Sequence, residues 1–139
     1  MSNLPDVMET NLLDYFLKTA NSTNFTAPGS LWVGLCTSAP TDAATNECST
    51  ANGYARVQMP IGAVVASGGT IGLPTVAVNF AQATASWATG LAGYIVGAAS
   101  TGSTGTSAYL FYGAISPTVA VTTNDTVSFA ANAITLTFA

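Results

Sequence analysis

Leu31-Trp32-Val33-Gly34-Leu35-Cys36-Thr37 sets Leu31, Val33 and Leu35 on one face of an extended chain. The turn-rich passage Ser38-Ala39-Pro40-Thr41-Asp42 follows, and Gly53-Tyr54-Ala55-Arg56-Val57 then returns to an extended pattern. Strand, turns and strand in close succession are the mark of antiparallel β-structure. Outward from this stretch the same period of two recurs. Residues 54–59 form a strand that Pro60 ends. Gly68-Gly69 sits between 61–67 and 70–73 as a two-residue hairpin turn. Residues 75–80 alternate again, and 91–99 and 108–115 flank a polar tip at 100–105. Val119 and Val121 lead to the turn Thr123-Asn124-Asp125, after which Val127 and Phe129 share a face and Ile134, Leu136 and Phe138 alternate with threonines. Strands this short and this regularly spaced predict a mainly β domain, an antiparallel β-sandwich or jelly roll.

Before the first strand the period changes. Leu4, Met8, Leu12, Tyr15 and Phe16 recur at helical spacing. Asp6 and Glu9 have the form of a capping box. Lys18 in the last turn complements the helix dipole, and Asn21 is a left-handed stop. The expected organisation is one domain over 1–139, with helix and linker at 1–24 and the sandwich at 25–139.

Charge narrows the function classes. Asp, Glu, Lys and Arg make up 6% of the 139 residues, against about 25% in ordinary domains. The surface must be Ser, Thr, Asn, Gly and Ala, and charges are depleted where subunits meet. A subunit that packs against copies of itself or a shell is expected. With one lysine, one arginine and a net charge of −4, the chain lacks the cations that a phosphate backbone or an anionic membrane needs. No apolar run reaches the length of a spanning helix and no secretory leader is evident, so synthesis in a cytosol is expected. Cys36 and Cys48 are expected as unpaired thiols.

Catalytic chemistry is hard to assemble here. There is no histidine, the commonest general base and metal ligand, and a cysteine nucleophile would lack its activating imidazole. Asp6, Glu9 and Asp14 belong to the helix, leaving Asp42, Glu47 and Asp125. Two carboxylates suffice for a glycosidase, but turn formation is the expected use of Asp42 and Asp125. The reading is therefore no catalytic residue, no metal and no cofactor. Arg56 is different. A lone arginine in a strand is exposed or paired, and Glu47 or Asp125 is its expected partner, within the subunit or across to a neighbour. Trp32, Tyr54, Trp87, Tyr94, Tyr109 and Tyr112 are expected in core or interface rather than stacked on sugars. Candidates for subunit or shell contact are Leu12, Tyr15, Phe16, Trp32, Tyr54 and Trp87. The sequons at Asn21, Asn24 and Asn124 read as chance in a Thr-rich chain.

Phe25-Thr26-Ala27-Pro28, the stretch 31–41, Glu47, Gly53-Tyr54-Ala55-Arg56-Val57, Val78-Asn79-Phe80, Ala83-Thr84-Ala85-Ser86-Trp87, Tyr109-Leu110-Phe111-Tyr112-Gly113 and Asn124-Asp125-Thr126-Val127-Ser128-Phe129 together resemble a family of small tailed-bacteriophage virion proteins. Two positions depart from that pattern: Asn124 stands where a glycine is common, and an acidic residue expected near Ala98 is missing. The resemblance implies a β-rich structural piece, either a capsid decoration (cement) protein or a tail-fibre component. The sparse charge leans to decoration: a homotrimer on the capsid surface that touches the major capsid protein and stabilises the assembled shell. A tail or fibre role is the first alternative, and a carbohydrate-binding module the second.

Overall fold

The computed structural model describes residues 4–6, 8–10, 29–42, 44–60, 70–100 and 109–137. Among them run eight strands: β1 (Leu31–Cys36), β2 (Val57–Met59), β3 (Thr70–Leu73), β4 (Val78–Asn79), β5 (Ala88–Gly97), β6 (Phe111–Val121), β7 (Ser128–Phe129) and β8 (Ile134–Thr137). One sheet has the order β2-β1-β5-β6, while β3 pairs with β8 and β4 with β7 as separate ladders. Every ladder is antiparallel. The chain is thus mainly β with a short helical turn at its N-terminus, the class that the alternating pattern predicts.

The alternation in β1 decides which residues go where. Val33 and Leu35 are fully buried on one face and join Met59, Leu91, Tyr94, Val96, Phe111 and Val121 from the same sheet. Leu73, Val78 and Ile134 come to meet them from the two smaller ladders. Each fully buried leucine, isoleucine or valine contributes roughly 1.5–3 kcal/mol. A chain of aromatic rings runs through this core. Tyr54 stacks on Phe80 at 6.3 Å, Trp87 meets Tyr54 edge-on at 5.5 Å, and Phe129 links Phe80 to Tyr94.

The other face of the sheet carries a second apolar group, Cys36, Ile95, Tyr109 and Tyr112. Onto it folds the turn-rich passage after β1. Tyr109 Oη donates to the Thr41 carbonyl at 2.6 Å and Tyr112 Oη to Asp42 Oδ1 at 2.7 Å. Asp42 therefore accepts a phenol rather than closing its own turn. The turn is closed instead by Thr41, whose carbonyl and Oγ1 both accept from the Ala44 N–H.

Two expectations change. β6 runs unbroken from Phe111 through Pro117 to Val121, where the sequence reads as two pieces. Proline is tolerated because β6 is an edge strand. The register slips around it, with Leu91 opposite Val119 but Gly93 opposite Ala114. β3 pairs with the distant β8, a partner that the local pattern does not name, and the hairpin expected between 61–67 and 70–73 lies outside the described residues. At the N-terminus the Pro5 carbonyl accepts from the N–H groups of Met8 and Glu9 at 2.8 and 3.1 Å. Pro5 is thus the cap, and Asp6 sits one residue inside the helix rather than capping it. Leu12, Tyr15, Phe16, Asp14, Lys18, Asn21 and the polar tip from 101 to 105 lie outside the described residues.

Candidate functional site

Charge gathers at one place. The short strand β2 pairs only as far as Val33 opposite Val57, and the next contact on that side of β1 is the bridge from Cys36 to Glu47. Between them the Leu35 N–H has no strand to donate to. The Tyr54 hydroxyl fills the missing rung, accepting from Leu35 N–H at 2.8 Å and donating to Glu47 Oε1 at 2.9 Å. Arg56 completes the arrangement with a two-pronged contact: Nε to Oε1 and Nη2 to Oε2, both 2.7 Å. Paired forks of this kind are the strongest protein hydrogen bonds. The remaining Nη1 donates to the Ala99 carbonyl at 3.0 Å, just beyond β5.

Of the two carboxylates considered for Arg56, Glu47 is the one that meets it. Alternation explains the choice: residues opposite one another in an antiparallel pair share a face, so Glu47 lies on the face of Gly34 and Cys36. Gly34 makes the space. A β-carbon there would lie 2.7 Å from Glu47 Oε1, 2.9 Å from Ile95 Cγ1 and 3.1 Å from Tyr54 Oη.

The Arg56 side chain is 1% exposed and that of Glu47 13%. Burial alone would weaken the guanidinium's hold on its proton, but the hydrogen bonds and charge of Glu47 outweigh it and keep the pKa above the ordinary arginine value. The neighbours respond in the opposite chemical sense. Burial, then the Glu47 charge, pushes the Cys36 thiol up to about 12 and the Cys48 thiol up to about 11. Tyr54 is driven upward by the same two causes in the same order. Both cysteines are free and buried, and both are held protonated at neutral pH. Among the described residues no three His, Cys, Asp or Glu side chains come together to hold a metal. Nor is any buried side-chain nitrogen or oxygen there without a hydrogen-bond partner.

Asp125 is elsewhere. Its Oδ2 accepts from the Thr122 N–H at 2.7 Å and from the Thr122 hydroxyl at 2.8 Å, locking the turn after β6. Those bonds lower its pKa below the ordinary carboxylate value. Asn124 in this turn has φ +71°, a left-handed conformation that asparagine tolerates and glycine adopts freely.

Two contact candidates need correcting. Tyr54 and Trp87 are 3% and 9% exposed and belong to the main core, because their rings complete the aromatic chain described above. Trp32 is half-buried. Tyr94, Tyr109 and Tyr112 are buried as well, so five of the six aromatics considered for sugar stacking present no platform. A feature the sequence reading missed pins Trp87: its Nε1–H donates to the Asn52 carbonyl at 2.7 Å. The Asn52-Gly53 pair, a strong turn signal, marked the place.

Fold and interior together define a mainly β chain whose buried polar groups are turned on one another. A family model described as podophage GP4 fiber I protein gp80 matches residues 3–137, and the chain belongs to that family. It is a phage virion structural protein. A comparison with curated proteins found no match.

Proposed function

We propose that the chain is a mechanical component of a podophage fibre, acting by self-association and without catalysis. The observation that carries this reading is the match to a fibre-protein family over 3–137. The distribution of charge supports it. No ionisable Asp, Glu, Lys or Arg lies anywhere from 57 to 124, a span that includes β2 to β6. Copies that meet through this part of the molecule bring no like charges together, which would otherwise oppose association. β6 lies at a sheet edge and exposes Ala114, Ser116, Pro117, Thr118, Val119 and Ala120. The interior is held by its own ion pair, so outward contacts need supply only surface.

A second reading rests on the same neutral surface: a homotrimeric cement on the capsid, bound to the major capsid protein. Neutral surface suits close tiling on a shell as well as stacking along a fibre, and the family description favours the fibre. Labelling of intact virions with antibodies against this chain separates the two. The fibre reading expects label at the fibres and few copies per particle. Label spread evenly over the head would overturn it in favour of cement, and unlabelled virions would overturn both.

A further inference from the structure

Asn52 is the only asparagine in the chain followed by glycine. In such a pair the Gly backbone nitrogen can attack the Asn side-chain carbonyl carbon, because no β-carbon shields it. The new C–N bond closes a succinimide ring and ammonia leaves. Water then opens the ring at either carbonyl, leaving aspartate or isoaspartate. Asparagine is for this reason among the thermolabile residues.

The fold sets Asn52 where that attack cannot occur. Tyr54 N–H bonds to the Ala51 carbonyl at 3.3 Å, and Asn52 and Gly53 have φ +61° and +80°. This is a mirror-image type I turn, in which the ψ of the first central residue is about +30°. At that angle the Gly53 nitrogen lies across the Cα–C bond from the Asn52 side chain. Ring closure requires the backbone to swing the nitrogen round to the side-chain edge, and this means opening the turn. Three bonds oppose opening. Asn52 Nδ2 donates to the Ser86 carbonyl at 2.9 Å, and the Asn52 carbonyl accepts from Trp87 Nε1–H at 2.7 Å and Thr84 N–H at 3.1 Å. Asn52 is nonetheless exposed, so water reaches it once the turn opens.

We infer that Asn52 is a spontaneous deamidation site gated by the turn that anchors Trp87, so that each opening risks a permanent mark. Deamidation replaces the Nδ2 donor with a carboxylate oxygen facing the Ser86 carbonyl. Isoaspartate also lengthens the backbone beside the Trp87 anchor, and the turn does not re-form. The inference stands independently of where the chain sits in the virion.

Mass-spectrometric mapping of the Asn52 peptide during incubation in mildly alkaline buffer tests it. Deamidation in the folded protein should be at least roughly tenfold slower than in the same buffer with denaturing urea, because only the open population reacts. Trp87→Phe, folded as judged by circular dichroism, should raise the folded-state rate toward the urea value. Equal rates in folded and unfolded protein would overturn the gate. An unmodified Asn52 in urea would overturn the lability itself.

Discussion

The two carboxylates equally eligible by sequence to meet Arg56 end in opposite surroundings. Glu47 sits between strands and takes both prongs of the guanidinium and a phenol hydroxyl, while Arg56 reaches on to the Ala99 carbonyl beyond β5. Asp125 is fully exposed and serves one turn of four residues. Both are well hydrogen-bonded, so bonding alone does not separate them. The difference is what is lost when each is removed. A buried charge left without its partner has no water to turn to, whereas an exposed turn rehydrates.

Opposite ends of the pH scale should break the two regions separately, and alkali should have the larger effect. Cys36, Cys48 and Tyr54 around Glu47 all have raised pKa values in the folded state. A raised pKa means that the folded chain holds protons which the unfolded chain releases, so the stability these groups add is intact below the unfolded thiol value of 9.0 and is lost as pH climbs through about 11 and 12. Denaturation midpoints should fall steadily across that window. The lowered pKa of Asp125 works in reverse: its contribution is present above 3.8 and fades as pH falls below it, a minor loss because the group is exposed.

Substitutions sharpen the contrast in descending order. Arg56→Met, which strands Glu47, should destabilise by about 3–5 kcal/mol in urea denaturation. Gly34→Ala pushes a methyl against Glu47 Oε1 and Ile95, an overpacking expected to cost about 2–3 kcal/mol. Tyr54→Phe leaves the Leu35 N–H and one Glu47 bond unmet and should cost about 1–2 kcal/mol. Asp125→Ala should give the smallest shift in melting temperature of the series. An effect of Asp125→Ala as large as that of Arg56→Met would erase the distinction between the two regions.

The sequence carried the β class because period-two alternation at Val33 and Leu35, Val127 and Phe129, and Ile134 and Leu136 reflects the face each strand turns to the main core, although β1 is buried on its other face as well. It could not name β8 as a partner of β3, since that pairing depends on how the whole chain closes rather than on any local turn. The same limit left Glu47 and Asp125 undecided. The choice is made by the bridge from Cys36 to Glu47, a register that spacing does not specify. Tyr54 and Trp87 were misplaced as contact residues because an aromatic in a β-rich chain looks the same whether it faces a core or a neighbour. The Asn52-Gly53 turn was legible and overlooked; its bond to Trp87 Nε1 was not, because the acceptor is a backbone carbonyl.

A double-mutant cycle asks most directly whether the chain's single arginine serves its own interior. Urea denaturation of Arg56→Met, Glu47→Leu and the combined variant gives the coupling between them. Each single change should be strongly destabilising and the double variant should recover most of the loss, since an apolar pair of similar volume replaces a buried ion pair with little penalty. Additive losses, with no recovery in the double variant, would contradict the account.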